Sequence, residues 1–405
     1  MVPVKTRRML CSLIVSIVCG CTTMSRNEAP PVLGAAPAGF PPEVRTLSLD
    51  RRSAWASSPG FLAGLRAASI DGRTHILALS GGGAGGAFGA GALVGLSDRG
   101  ERPQFELVTG VSTGALIAPF AFLGPAWDPQ LIEAAMTAGA ASMLQWRGGI
   151  VFNPAVYSGE PLAAFVERTM TRELFEAVAR EARKGRVLLV ATTDLDKEET
   201  VIWNLGAIAA RGGDQAYALF KNVLVASSSI PGLFPPVMIR VEQDGKAYDE
   251  MHVDGGTTQS FFIGPQINQY LPQKIDGLEN AAVYVLVNGQ IGVSPHTTTL
   301  QPLPILSRSF AATMRHISRT DISVAIDFAR RNGMEFRFTV IPASYPFLGP
   351  LSFETSSIQS LFSYGRRCAA SGRLWSSIER AFLPLREVSE GGANNAQEPD
   401  CPGER

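Results

Sequence analysis

The segment His75-Ile76-Leu77-Ala78-Leu79 runs without a break into Ser80-Gly81-Gly82-Gly83-Ala84-Gly85-Gly86, and nothing else in the 405 residues limits the fold so tightly. A short apolar run with no polar alternation suits a strand buried on both faces, as in a parallel sheet. The glycines after it give a turn of nearly bare backbone. Ala87 to Leu96 then read as a helix of small residues that can press close to the sheet. Phe105-Glu106-Leu107-Val108-Thr109 is a second strand, ending at Gly110-Val111-Ser112-Thr113-Gly114, and Ala115 to Leu123 is an almost wholly apolar helix. Strand, turn, helix, strand, turn, helix predicts an α/β fold with a mainly parallel sheet.

Two chemistries compete for these turns. Gly81-x-Gly83-x-x-Gly86 after a buried strand also occurs in dinucleotide sites, and Glu106 lies about where a ribose-binding acid is expected. Gly110-x-Ser112-x-Gly114 at a strand-to-helix turn is instead the context of a nucleophile elbow, with a serine oxygen exposed on a strained backbone. The two turns together favour acyl transfer: Ser112 attacks an ester, and backbone N–H groups of Gly81 to Gly83 meet the oxyanion. A serine also needs a base. His296 or His316, after Asp254, would suit the order of an α/β-hydrolase triad, but His296 lies in a Ser/Thr/Pro loop and His316 among arginines on an amphipathic helix. Asp254 itself, followed by Gly255 and Gly256, is the competing base, since two glycines let it approach another loop closely.

These blocks resemble those of the patatin-like phospholipases. The glycine run, Gly110–Gly114 and Asp254-Gly255-Gly256 occur in that family's order and spacing. Ala226-Ser227-Ser228-Ser229-Ile230-Pro231-Gly232-Leu233-Phe234-Pro235-Pro236 resembles its segment between serine and aspartate. The resemblance covers roughly residues 74–345. It implies a three-layer α/β/α fold and a Ser112–Asp254 dyad without histidine, in which Asp254 is the general base. It further implies an oxyanion hole within Gly81, Gly82, Gly83 and Gly86, and hydrolysis of lipid esters with neither cofactor nor metal. One departure is Gly85, where the family usually carries Arg or Lys; it leaves open whether the lipid is anionic, neutral or a smaller ester.

Along the rest of the chain, helices are expected over 128–141, 160–184, 214–228 and 353–382, and strands over 186–192, 201–205, 281–287 and 335–341. Trp127, Trp146 and Phe152 fall in loop-like stretches that could line an acyl groove, although packing suits them equally. Tyr345 to Leu351 reads as a lid, a membrane-facing loop or a buried connector. Equal numbers of basic and acidic residues, 36 each, argue against a nucleic-acid partner.

The N-terminus reads as an address. Lys5, Arg7 and Arg8 precede an apolar run too short to span a bilayer, and Val18-Cys19-Gly20-Cys21 resembles a bacterial lipobox. A signal peptide over 1–20, a lipidated Cys21 and a tether over 21–72 follow. Thr22 after the lipid site points to the outer membrane facing the periplasm. The acyl hydrolase domain is expected over 73–345, a helical extension over 346–388 and a tail over 389–405. Cleavage and lipidation account for Cys11, Cys19 and Cys21, so Cys368 and Cys401 remain as an even pair that can bridge in an oxidising compartment. The alternative function is a lipoprotein with a vestigial site that binds lipid or a protein partner.

Overall fold

The computed structural model describes residues 26–28, 35–47, 59–138, 155–264, 274–292, 297–378, 381 and 399–403. The expected signal peptide and Cys21, together with Trp146, Phe152, His296 and most of the C-terminal tail, lie outside the described residues.

Ten strands form one sheet: β1 Ala36–Pro37, β2 Arg45–Leu47, β3 His75–Leu79, β4 Leu107–Val111, β5 Val187–Asp194, β6 Glu199–Asn204, β7 Val237–Gln243, β8 Lys246–Asp254, β9 Ala282–Val287 and β10 Glu335–Val340. The core of the sheet, in the order β5-β4-β3-β9-β10, is parallel throughout. Antiparallel strands extend one side through β8, β7 and β1, with β6 and β2 branching from β5.

Ten helices accompany the strands: α1 Pro59–Ala68, α2 Gly86–Arg99, α3 Thr113–Leu123, α4 Asp128–Ala138, α5 Glu160–Thr169, α6 Arg172–Arg183, α7 Leu205–Arg211, α8 Gly213–Ser227, α9 Pro302–Asn332 and α10 Thr355–Ala370. Along β3 the side chains alternate between two cores. Leu77 and Leu79 join Phe88 of α2, Phe120 of α3 and Phe362 of α10. Ile76 and Ala78 join Leu65 of α1 and Ile322 and Phe328 of α9. Period-two alternation on a strand covered by helices on both sides gives the expected α/β/α layers. Among the described residues, no helix is long and apolar enough to cross a membrane.

The helix expected over 160–184 is two. Thr171 leaves the helical region and its side chain accepts the N–H of Leu174, capping α6 and breaking the run after Thr169. The second strand is displaced by two residues to Leu107–Val111, with Glu106 before it accepting the His75 N–H.

The register of β5 places the site. β6 pairs with residues 189–194 along one side of β5. On the other side, β4 pairs with 187–191 and β8 with 192–194, so these two strands meet end to end. The chain leaves the sheet after Val111 just where Asp254 arrives opposite Thr192.

Candidate active site

That meeting brings Ser112 and Asp254 together. Ser112 sits at φ 54°, ψ −124°, a conformation costly for a residue with a Cβ, and starts α3. Its N–H donates to Ser227 Oγ at 3.0 Å, and Ser227 in turn donates to the carbonyl of Ala191 at 2.7 Å. The N–H of Asp254 donates to the Ser229 carbonyl at 2.8 Å. The Ala226–Pro236 segment thus holds both residues from behind, a function that its sequence did not disclose. Ser112 Oγ then donates to Asp254 Oδ2 at 2.6 Å, while Oδ1 accepts the Gly256 N–H at 2.7 Å. Burial pushes the Asp254 carboxyl up to about 7, although the Ser112 and Gly256 hydrogen bonds act to lower it.

The glycines beside this pair are needed for clearance. A Cβ on Gly114 would strike the carbonyls of Leu79 and Ser80, and one on Gly110 the backbone of Ala115. A Cβ on Gly255 would meet the Ala191 carbonyl, and one on Gly256 would crowd Asp254 Oδ1 and Met314.

The glycine run after β3 passes beside Ser112. Its four expected oxyanion donors divide into two pairs. Gly81 donates its N–H to the Ser260 carbonyl at 3.0 Å, and Gly86 donates to the carbonyls of Gly83 and Ala84, so neither is a free donor. The expectation is corrected to Gly82 and Gly83, whose N–H groups have no backbone acceptor among the described residues. Gly83 has φ +55°, and Gly82 and Gly83 lie so close to Asn288 and Pro350 that side chains would collide there. Gly85 is equally closed: a Cβ would strike the Asn288 carbonyl, so no basic side chain fits at that position.

Asn288 and Asp321 fix this loop, and the sequence gave no sign of either. Asn288 donates its side-chain amide to the Ser80 carbonyl at 2.7 Å and its N–H to Ser80 Oγ at 2.8 Å. Asp321 on α9 accepts both the N–H and the hydroxyl of Ser260 at 2.8 Å, beneath the carbonyl that holds Gly81. Burial raises Asp321 to about 6 against the lowering effect of its Ser260 and Phe261 hydrogen bonds.

Ser112 lies at one end of a narrow apolar pocket of about 80 Å³, bounded by Gly83 and Gly86, Ile117, Phe120, Phe165 and Phe353. Trp127 packs against the core and is not among its lining residues. Tyr345 to Leu351 is a connector with an exposed tip: Pro350 accepts the Ala84 N–H, and Leu348 is 64% exposed.

The competing assignments have no geometric support. His316 is exposed on α9, and neither it nor His252 hydrogen-bonds to Ser112 or Asp254. Glu106 is buried before the N-terminal end of β4, away from the glycine turn, which removes the ribose-binding reading. Asp194, Glu250 and His252 form a buried cluster whose donor atoms could reach one metal ion. Lys197 Nζ already bridges Asp194 and Glu250 at 2.6 Å each, and Arg45 pairs with Glu250. Burial would raise Glu250, yet hydrogen bonds from His252 and Arg45 hold it well below the usual range. Two cations therefore occupy the place of a divalent ion. Cys368 and Cys401 are joined as a disulfide, with Cα atoms 5.4 Å apart.

Among known proteins, the family model described as patatin-like phospholipase matches residues 77–265, which contain both Ser112 and Asp254. No curated protein matches. The crystal structure of VipD from Legionella pneumophila is similar at a TM-score of 0.29 and 12% identity, over 72% of this chain. The match spans 66% of the VipD chain, just under two thirds of its length.

Proposed function

We propose that this chain, which carries a patatin-like phospholipase domain over residues 77–265, hydrolyses carboxylic esters of lipids through Ser112 and Asp254. The observation that carries the reading is the 2.6 Å contact of Ser112 Oγ with a buried carboxylate, at the end of an apolar pocket suited to an acyl chain. Asp254, ionised, takes the hydroxyl proton as Ser112 Oγ attacks the ester carbonyl. Charge moves to the carbonyl oxygen, for which the N–H groups of Gly82 and Gly83 are the available donors. Collapse breaks the bond to the alcohol, which leaves with the proton held by Asp254 while the acyl group stays on Ser112. Water, giving its proton to Asp254, then releases the fatty acid and restores the serine.

Lipid on Cys21 would hold the mature chain at the outer membrane, facing the periplasm, and keep the site beside its substrate. Replacing Cys21 with alanine should then release the protein from the membrane fraction and abolish metabolic fatty-acid labelling.

The enzymatic reading is tested with a fluorophosphonate probe. Ser112 should be labelled, Ser112→Ala should not be, and Asp254→Asn should lose both labelling and esterase turnover. Absence of labelling together with absence of turnover on any ester would leave a binding lipoprotein as the function.

A further inference from the structure

A second pocket lies on the other side of the glycine run. It encloses about 540 Å³ and is bounded by Gly81 and Gly82, the loop after β9, the N-terminal half of α9 and the Ala343–Pro350 connector. Gly83 and Gly86 face the apolar pocket instead, so the glycine run forms a partition between two compartments. Their chemistry differs. Arg308 and Arg315 of α9 line the second pocket, and no acidic residue lines it among the described residues.

Arg315 is anchored by its Nε to the Gln290 carbonyl at 3.4 Å, and Arg319, one turn on, donates to the Ile291 carbonyl at 2.6 and 2.8 Å. Among the described residues neither forms an ion pair with a carboxylate. Burial, followed by the charges of Arg319 and Arg308, lowers Arg315 from its ordinary value. Half-buried guanidinium groups that repel one another beside a polar cavity are relieved by an anion, and their planar forks match phosphate oxygens.

We propose that this pocket receives the phosphodiester of a glycerophospholipid, its charge meeting Arg308 and Arg315 while an acyl chain enters the apolar pocket across the glycine run. This rests on Ser112 acting on lipid esters, but Arg308 and Arg315 lie beyond the family-matched residues 77–265. They make the anion preference a property of this chain's α9.

Binding to the full-length Ser112→Ala protein tests it without relying on turnover. The probes are monomeric dihexanoyl phosphatidylglycerol, uncharged dihexanoylglycerol and inorganic phosphate. The phospholipid should bind at least about tenfold more tightly than the diacylglycerol, the scale of one charge-assisted hydrogen bond. R308Q/R315Q should bring that ratio close to one, and the charge-retaining R308K/R315K should keep most of it. A ratio near one in the Ser112→Ala protein overturns the proposal, as does a ratio unchanged by R308Q/R315Q. So does displacement by inorganic phosphate at matched concentration, which would make this a free-phosphate site. Loss of hydrolysis on every ester in the unmodified protein would instead overturn the function proposed for Ser112, leaving the binding ratio as the separate reading.

Discussion

Asp254 must accept a proton although burial favours its neutral form, and this conflict sets how the protein responds to pH. With its carboxyl raised to about 7, the base is mostly neutral below that value, so kcat/KM should climb as pH passes through about 7. A flat profile from pH 5 to 9 would exclude Asp254 as the base. The same shift bears on stability. The folded state binds this proton more tightly than the unfolded chain, so the contribution is complete below the ordinary value of 3.8 and is lost as pH rises through about 7. Asp254→Asn keeps an acceptor for Gly256 and carries no charge. It should therefore melt above the unmodified protein at pH 8, by a margin that shrinks towards pH 5; a margin independent of pH would refute the burial argument.

At the scale of elements, the sheet holds the pair and α9 holds the loop. Asp321→Ala would leave the buried N–H and hydroxyl of Ser260 without their acceptor and loosen Gly81. We expect kcat to fall about tenfold with KM little changed, the cost of one or two buried donors. Asp321→Asn, which retains an acceptor oxygen, should recover part of it, and equal losses would point to general destabilisation. Local order was legible in the sequence because it depends on neighbours: β3, the glycine run, α2, the elbow and α3 follow from apolar runs and turn residues. What joins them was not. Ser227 reaches Ser112 across 115 positions and Asp321 reaches Ser260 across 61, and no periodicity records a contact at such separations. The β7–β8 hairpin, which delivers Asp254, alternates too weakly in burial to stand out. The packing of α2 against α10 shows the same limit. A Cβ on Gly91 or Gly95 would strike the carbonyls of Phe362 or Arg366. Gly91→Ala should thus cost about 1–3 kcal/mol in urea unfolding despite alanine's better helix propensity.

For the molecule as a whole, the family-matched residues hold the reacting groups but not everything that shapes them. Asn288, Asp321, the second-pocket arginines and α10 all lie outside 77–265. The disulfide and the Tyr364 hydroxyl, which donates to the Asp400 carbonyl at 2.6 Å, fasten the chain's end to α10. A chain ending at residue 345 would bare the glycine face of α2 and the apolar side chains around it. It should accumulate as insoluble protein, whereas Cys368→Ser with Cys401→Ser should fold and melt lower; soluble, active protein from the shorter chain would show α10 to be dispensable. The partition formed by the glycine run reaches beyond recognition. With the alcohol half of an ester on one side and the acyl half on the other, the first product can depart while the second stays bonded. The vacated side then becomes the path by which water arrives, so the order of product release is built into the architecture, lysolipid first and fatty acid last.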